Sequence, residues 1–145
     1  EDEHECFSDL THLSYANNAR GIQNVFNGNY KTVAGKTIGG YGVKNYLVDT
    51  NNKEAADKLA ADFAKVEAAF NVIVEKGEKE GIKVDQMIAT AGQVSKQGIS
   101  AEEQNVRRSW IENGITSLQE LTAGIENAAK AIGIDNLDAD AGSQF

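Results

Sequence analysis

The sequence predicts an all-α protein, an antiparallel four-helix bundle with a small β-hairpin inserted after the first helix. Three observations predict it. The 145 residues contain no proline, so no missing N–H obliges a helix to kink or stop. Apolar residues recur at intervals of three and four along several long stretches, the period of one helix face. One stretch, residues 29–42, breaks that period with glycines among β-branched residues, as a hairpin does.

The elements follow in order. A first helix starts near Ser8 or Thr11 and runs to about Asn27, with Leu13, Ala16, Ala19, Ile22, Val25 and Phe26 at helical spacing and Gly28 as the stop. Tyr30-Lys31-Thr32-Val33 and Lys36-Thr37-Ile38 flank Ala34-Gly35 as the arms of a hairpin. A short helical turn is expected over residues 43–48. After Thr50-Asn51-Asn52 a long helix carries the stripe Leu59, Phe63, Val66, Phe70, Ile73, with Lys, Glu and Asp opposite, and Gly77 and Gly81 bracket its end. A shorter helix carries Val84, Met87, Ile88, Ala91 and Val94. The last helix opens on the capping box Ser100-Ala101-Glu102-Glu103, in which Ser and Glu satisfy each other's unpaired backbone donors. It is expected to bury Val106, Trp110, Ile111, Ile115, Leu118, Leu121, Ile125 and Ile132 and to stop at Gly133. Gly21, Gly114 and Gly124 are expected to let neighbouring helices approach closely. The helical domain then covers residues 1–134, followed by an acidic, flexible tail over 135–145.

Composition narrows the function. A net charge of −8 argues against nucleic acid or an anionic membrane as partner and favours cations. No run approaches the roughly eighteen apolar residues of a membrane span. The chain begins at Glu1 without methionine, which leaves room for a cleaved signal or a preceding part. A single cysteine, Cys6, forms no internal disulfide and does not identify the compartment.

Side chains able to do chemistry gather at the start. Residues 1–12 hold both histidines, the cysteine and five carboxylates. If the first helix has begun by Asp9, then Asp9 and His12, three apart, share a face and can converge on one ion. Imidazole with carboxylates suits iron, zinc or manganese, and Glu3, His4 or Glu5 can complete a shell. The plainer alternative is that Ser8 or Asp9 caps the helix while His12 hydrogen-bonds a neighbouring helix. Asn18 and Asn24, with Asn17 and Arg20, put poor helix formers on the first helix, which implies side-chain hydrogen bonds there. Cys6 beside Phe7 reads as a buried structural cysteine. Gly39-Gly40-Tyr41-Gly42 lacks the Lys-Ser/Thr ending of a phosphate loop.

The order of these segments resembles a known family. Glu1-Asp2, Cys6-Phe7-Ser8-Asp9 and Thr11-His12, followed by Asn18-Ala19, Gly21-Ile22, Asn24-Val25-Phe26, Gly28 and Tyr30, are similar to the second half of imelysin-like proteins. Val84-Asp85-Gln86-Met87-Ile88 resembles that family's Phe-Asp-Gln-Leu-Ile segment, and Ala131-Ile132-Gly133-Ile134 its Leu-Gly-Leu ending. The resemblance implies two helical halves, of which this chain is the C-terminal one, with the N-terminal half as partner. It also implies a periplasmic or outer-membrane, cell-surface location and iron-regulated expression. The implied role is in iron acquisition, through iron (zinc as the alternative) or an iron-bearing ligand or partner. On that reading Asp9, His12 and Glu3 are the metal ligands, with Ser8, Thr11, Asn18 and Asn24 in support. The family is also classed among metallopeptidases, but its hallmark Gly-x-His-x-x-Glu belongs to the first half and no His-x-x-Glu occurs here. Leu10 stands where the family usually has Asn after Ser-Asp. The alternatives are a part of a metallopeptidase and a non-enzymatic extracytoplasmic helical sensor or adhesion domain.

Overall fold

A computed structural model describes residue 5 and residues 7–135. In chain order the elements are α1 (Thr11–Asn27), β1 (Asn29–Lys31), β2 (Thr37–Gly39), α2 (Val43–Asp49), α3 (Lys53–Lys79), α4 (Val84–Met87), α5 (Ala91–Gln97) and α6 (Ala101–Ala131). The fold is all-α, with one small antiparallel hairpin after α1, as the sequence predicts. Tyr30 lies opposite Ile38 across the hairpin. From residue 136 onward the expected tail lies outside the described residues.

The chain divides into two compact units. One comprises Glu1–Ile22 and Ala64–Gln119, the other Gln23–Phe63 and Glu120–Phe145. In the first, His12, Val66, Phe70, Ile73, Val84 and Met87 are buried, and Tyr15 meets Phe70 edge-on with ring centroids 6.2 Å apart. In the second, Phe26, Leu47, Leu59, Phe63 and Leu121 are buried, and Phe26 stacks on Phe63 with centroids 4.9 Å apart.

The stripe expected on α3 is buried throughout and extends in both directions, so that the inward line runs Ala56, Leu59, Phe63, Val66, Phe70, Ile73, Gly77 in strict steps of three and four. Asp62, expected outside with the other charges, is also buried, against Gly124 of α6. It accepts a hydrogen bond from Lys58 at 2.5 Å. On α1 the inward line passes through His12, Ala16, Ala19, Gln23 and Phe26. Ile22 and Val25 stand one position off it and are 51% and 67% exposed. Val106 and Ile115 miss the inward line of α6 in the same way, because that line runs through Gln104, Arg107, Ile111, Gly114 and Leu121. Gly21 is exposed and faces open space, so it admits no neighbour.

Where the sequence predicts one helix over residues 84–94, the structure has two. The break at residues 88–90 is capped locally, the Gln93 side chain accepting from the Thr90 backbone N–H at 2.8 Å. It is also held from α6. Gln104 Nε2 donates to the carbonyls of Gln86 and Met87 at 3.1 and 3.0 Å, and Arg108 donates to that of Ala89 at 3.2 Å. Helix interruption frees carbonyl groups that must find donors when buried, and these come from fifteen or more residues away.

In the second unit Gly28 ends α1 at φ +65°, and its backbone lies directly against Gly42, the residue before α2. Gly40 donates to the Gly28 carbonyl at 2.6 Å. This contact pins the base of the hairpin and the start of α2 to the end of α1.

Candidate functional site

The site is built on the first turn of α1. Ahead of it, Asp9 adopts φ +57°, its N–H bonds to the Glu5 carbonyl at 2.9 Å, and the Ser14 N–H reaches the Leu10 carbonyl at 3.0 Å. Leu10 is therefore the residue at which the helix opens. The helix has not begun by Asp9, so the premise that Asp9 and His12 share a helical face fails: the exposed Asp9 is itself left-handed, and Leu10 separates it from the start of α1 at Thr11. Thr11 is buried, and its hydroxyl accepts the Glu5 N–H at 3.0 Å. Ser8 donates to the Glu5 carbonyl and carboxylate, both at 3.3 Å.

His12 is wholly buried, and its Nε2 lies 2.6 Å from Glu78 Oε1 on α3. A Cβ on Gly77 would sit 2.6 Å from His12 Cδ2 and 2.8 Å from Cγ. The glycine thus makes the slot that receives the imidazole, and the next residue supplies its carboxylate partner. A carboxylate only accepts, so Nε2 is the donor in this contact. Nδ1 is buried and has no hydrogen-bond partner among the described residues.

The hydrogen bond from His12 holds the Glu78 carboxyl below its ordinary value of 4.5, helped by Lys83 at 3.6 Å. A carboxyl depressed in the folded state contributes stability that is complete above its unfolded value. That contribution is lost as pH falls through the lower folded value, because the unfolded chain binds the proton first. Melting temperatures of the wild-type chain and Glu78→Gln should therefore differ by a constant amount above about pH 5 and converge below 4.5. Parallel curves down to pH 3 would show that this pairing does not contribute.

The other residues singled out from sequence are dispersed. Glu3, His4 and Cys6 lie outside the described residues. Asn18 is exposed, and Asn24 belongs to the second unit. Among the described residues no three His, Cys, Asp or Glu side chains gather as a metal site would require. One turn beyond His12, Tyr15 joins Phe70, Ile73, Val84, Ile88 and Ile115 around an apolar cavity of about 390 Å³. Ile115, half exposed, is part of its wall.

Gly77 and Glu78 escape a reading of the sequence for chemistry. Gly77 leaves a signal, since it occupies the next position of the α3 stripe, where a core side chain is due. Glu78 leaves none, being one of several carboxylates in the last turns of a charged helix.

A family model described as Imelysin, of a peptidase family, matches residues 1–125. The chain belongs to the imelysin family. No curated protein matches it significantly. In this imelysin domain the matched region takes in the α1 opening, the hairpin, all of α3 with Gly77 and Glu78, and most of α6. No helix among the described residues is long and apolar enough to cross a membrane.

Proposed function

We propose that this imelysin domain serves iron acquisition in the periplasm or at the cell surface, binding iron or an iron-bearing ligand or partner at the His12 end of α1. One observation carries the reading: a buried imidazole with Nε2 held by Glu78 and a buried Nδ1 that has no hydrogen-bond partner among the described residues. A histidine whose other ring nitrogen is oriented by a carboxylate is the usual form of a metal-ligating histidine. The donor set otherwise fits a bare ion poorly, since the described residues bring no further His, Cys, Asp or Glu cluster to it. One imidazole, with an apolar cavity lined by Tyr15 one turn further along α1, suits the organic part of an iron-bearing ligand better. Asp9 and Glu3 are the side chains proposed to complete the shell, and an N-terminal half of the same protein is the proposed neighbour. Zinc is the alternative metal.

The reading is tested by calorimetric titration of the chain with Fe(II), Fe(III), Zn(II) and ferric citrate, beside His12→Ala, with circular dichroism confirming that both are folded. One-to-one binding by the wild type that His12→Ala abolishes supports it, and absence of binding by either overturns it. A metallopeptidase instead requires a metal-bound water, a base and an oxyanion stabiliser, and predicts chelator-sensitive cleavage of an unfolded protein substrate.

A further inference from the structure

Residues 10–48 contain none of the chain's 22 carboxylates but four of its cations, Arg20, Lys31, Lys36 and Lys44. A protein of net charge −8 thus has one local stretch of positive charge. The same stretch displays apolar side chains. Of the large hydrophobic residues exposed among the described residues, eight fall between positions 25 and 48: Val25, Tyr30, Val33, Ile38, Tyr41, Val43, Tyr46 and Val48.

These residues are presented on an anchored backbone. Tyr30 and Ile38 are cross-strand partners and so project on one side of the hairpin. The Gly28–Gly42 contact secures the hairpin base, and the fully buried Leu47 secures α2. Lys31, Lys36 and Lys44 are exposed among them. The first carboxylate after the stretch, Asp49, accepts the Tyr41 hydroxyl at 2.5 Å, so part of its hydrogen-bonding capacity is already used.

We infer that the hairpin and α2 form a docking surface for an acidic peptide segment with apolar side chains between its carboxylates. Tyrosine and β-branched residues supply contact area at low entropic cost, and the surrounding lysines select negative charge and speed encounter. A phosphate polymer has no apolar side chains to cover the exposed valines and tyrosines, and an anionic bilayer would face far more of this acidic chain than a short peptide does. The patch also offers no exposed Trp, Phe or Leu to insert into lipid. The surface lies in the second unit, whereas His12 belongs to the first.

The test is a titration of the ¹⁵N-labelled chain with a synthetic peptide alternating Glu or Asp with Leu or Phe, followed by NMR. Amide shifts confined to residues 25–49 are expected, with affinity weakened about tenfold from low to physiological salt. A comparable loss is expected in Lys31→Glu/Lys36→Glu, whose substituted side chains are exposed, while Lys96→Glu, exposed on α5 of the first unit, should bind like wild type. A peptide with Ser in place of Leu and Phe should bind more weakly. Equal binding by the Lys31/Lys36 variant, shifts spread over the whole chain, or no shift would overturn the inference. Binding to phosphatidylglycerol vesicles with no response to the peptide would overturn it in favour of a lipid surface.

Discussion

Gly77→Ala should destabilise the chain by about 2 kcal/mol, although replacing glycine by alanine within a helix ordinarily gains about 1 kcal/mol. The added Cβ would lie 2.6 Å from His12 Cδ2 and 3.0 Å from Nε2. The ring is wholly buried and its Nε2 is held on Glu78, so it has little room to give way. Displacing it sacrifices the hydrogen bond as well as the packing. The decisive measurement is a double-mutant cycle by urea denaturation. His12→Ala alone leaves a cavity and should be costly, but adding Gly77→Ala in that background should be neutral or stabilising, because the obstacle is gone and only the helix propensity remains. Additive costs would mean that Gly77 is not there to admit the imidazole. The cycle also bears on function. If titration places a ligand on His12, Gly77→Ala should weaken its binding by shifting the ring while leaving the His12 and Glu78 side chains chemically unaltered.

Gly42→Ala should cost about 3 kcal/mol and release the hairpin and α2 from the end of α1. Here the obstruction is main chain: the new Cβ would fall 2.2 Å from Gly28 N and 2.5 Å from the Phe26 carbonyl oxygen. A side chain can change rotamer to accommodate a methyl group, whereas backbone held in a helix terminus cannot. Gly28 has the second constraint of φ +65°, so its replacement by alanine should also be harmful. Hydrogen exchange is the sharpest readout. The Gly40 amide, bonded to the Gly28 carbonyl at 2.6 Å, should lose protection in Gly42→Ala, while amides in the middle of α6 keep theirs. Unchanged protection at Gly40 would show that the two glycines do not fasten this segment.

Much of the fold was legible because its signals are local. Gly28 closes α1, Ala34-Gly35 turns the hairpin, and Ser100 caps α6 by accepting the Glu103 N–H at 3.1 Å. Each depends on residues within about four positions of one another. The α3 stripe was equally legible, since its steps of three and four contain only apolar residues until Gly77. On α1 and α6 the inward line passes through His12, Gln23, Gln104 and Arg107, so a search for apolar periodicity followed neighbouring residues instead and placed Ile22, Val25, Val106 and Ile115 inside.

The candidate site was half legible. His12 could be singled out from residue type and position, and its hydrogen bond to another helix was one of the two readings open. Its partner could not be found, since Glu78 is 66 residues away and looks like its neighbours. The Glu103 carboxylate shows the same limit on a smaller scale. The capping box predicts that it turns back to Ser100, but it accepts Arg107 at 2.6 Å.

The sequence by itself determined the all-α class, the place of the hairpin, most helix limits and the family, because these follow from steric preferences and periodicities expressed within a few residues. Only the tertiary structure decided which carboxylate meets His12, why Gly77 is glycine, where the helix over residues 84–94 breaks, and that Asp62 is buried. Each of those is settled by a donor, an acceptor or a volume supplied from a distant segment. Local propensity carries no information about such a partner until the chain has folded.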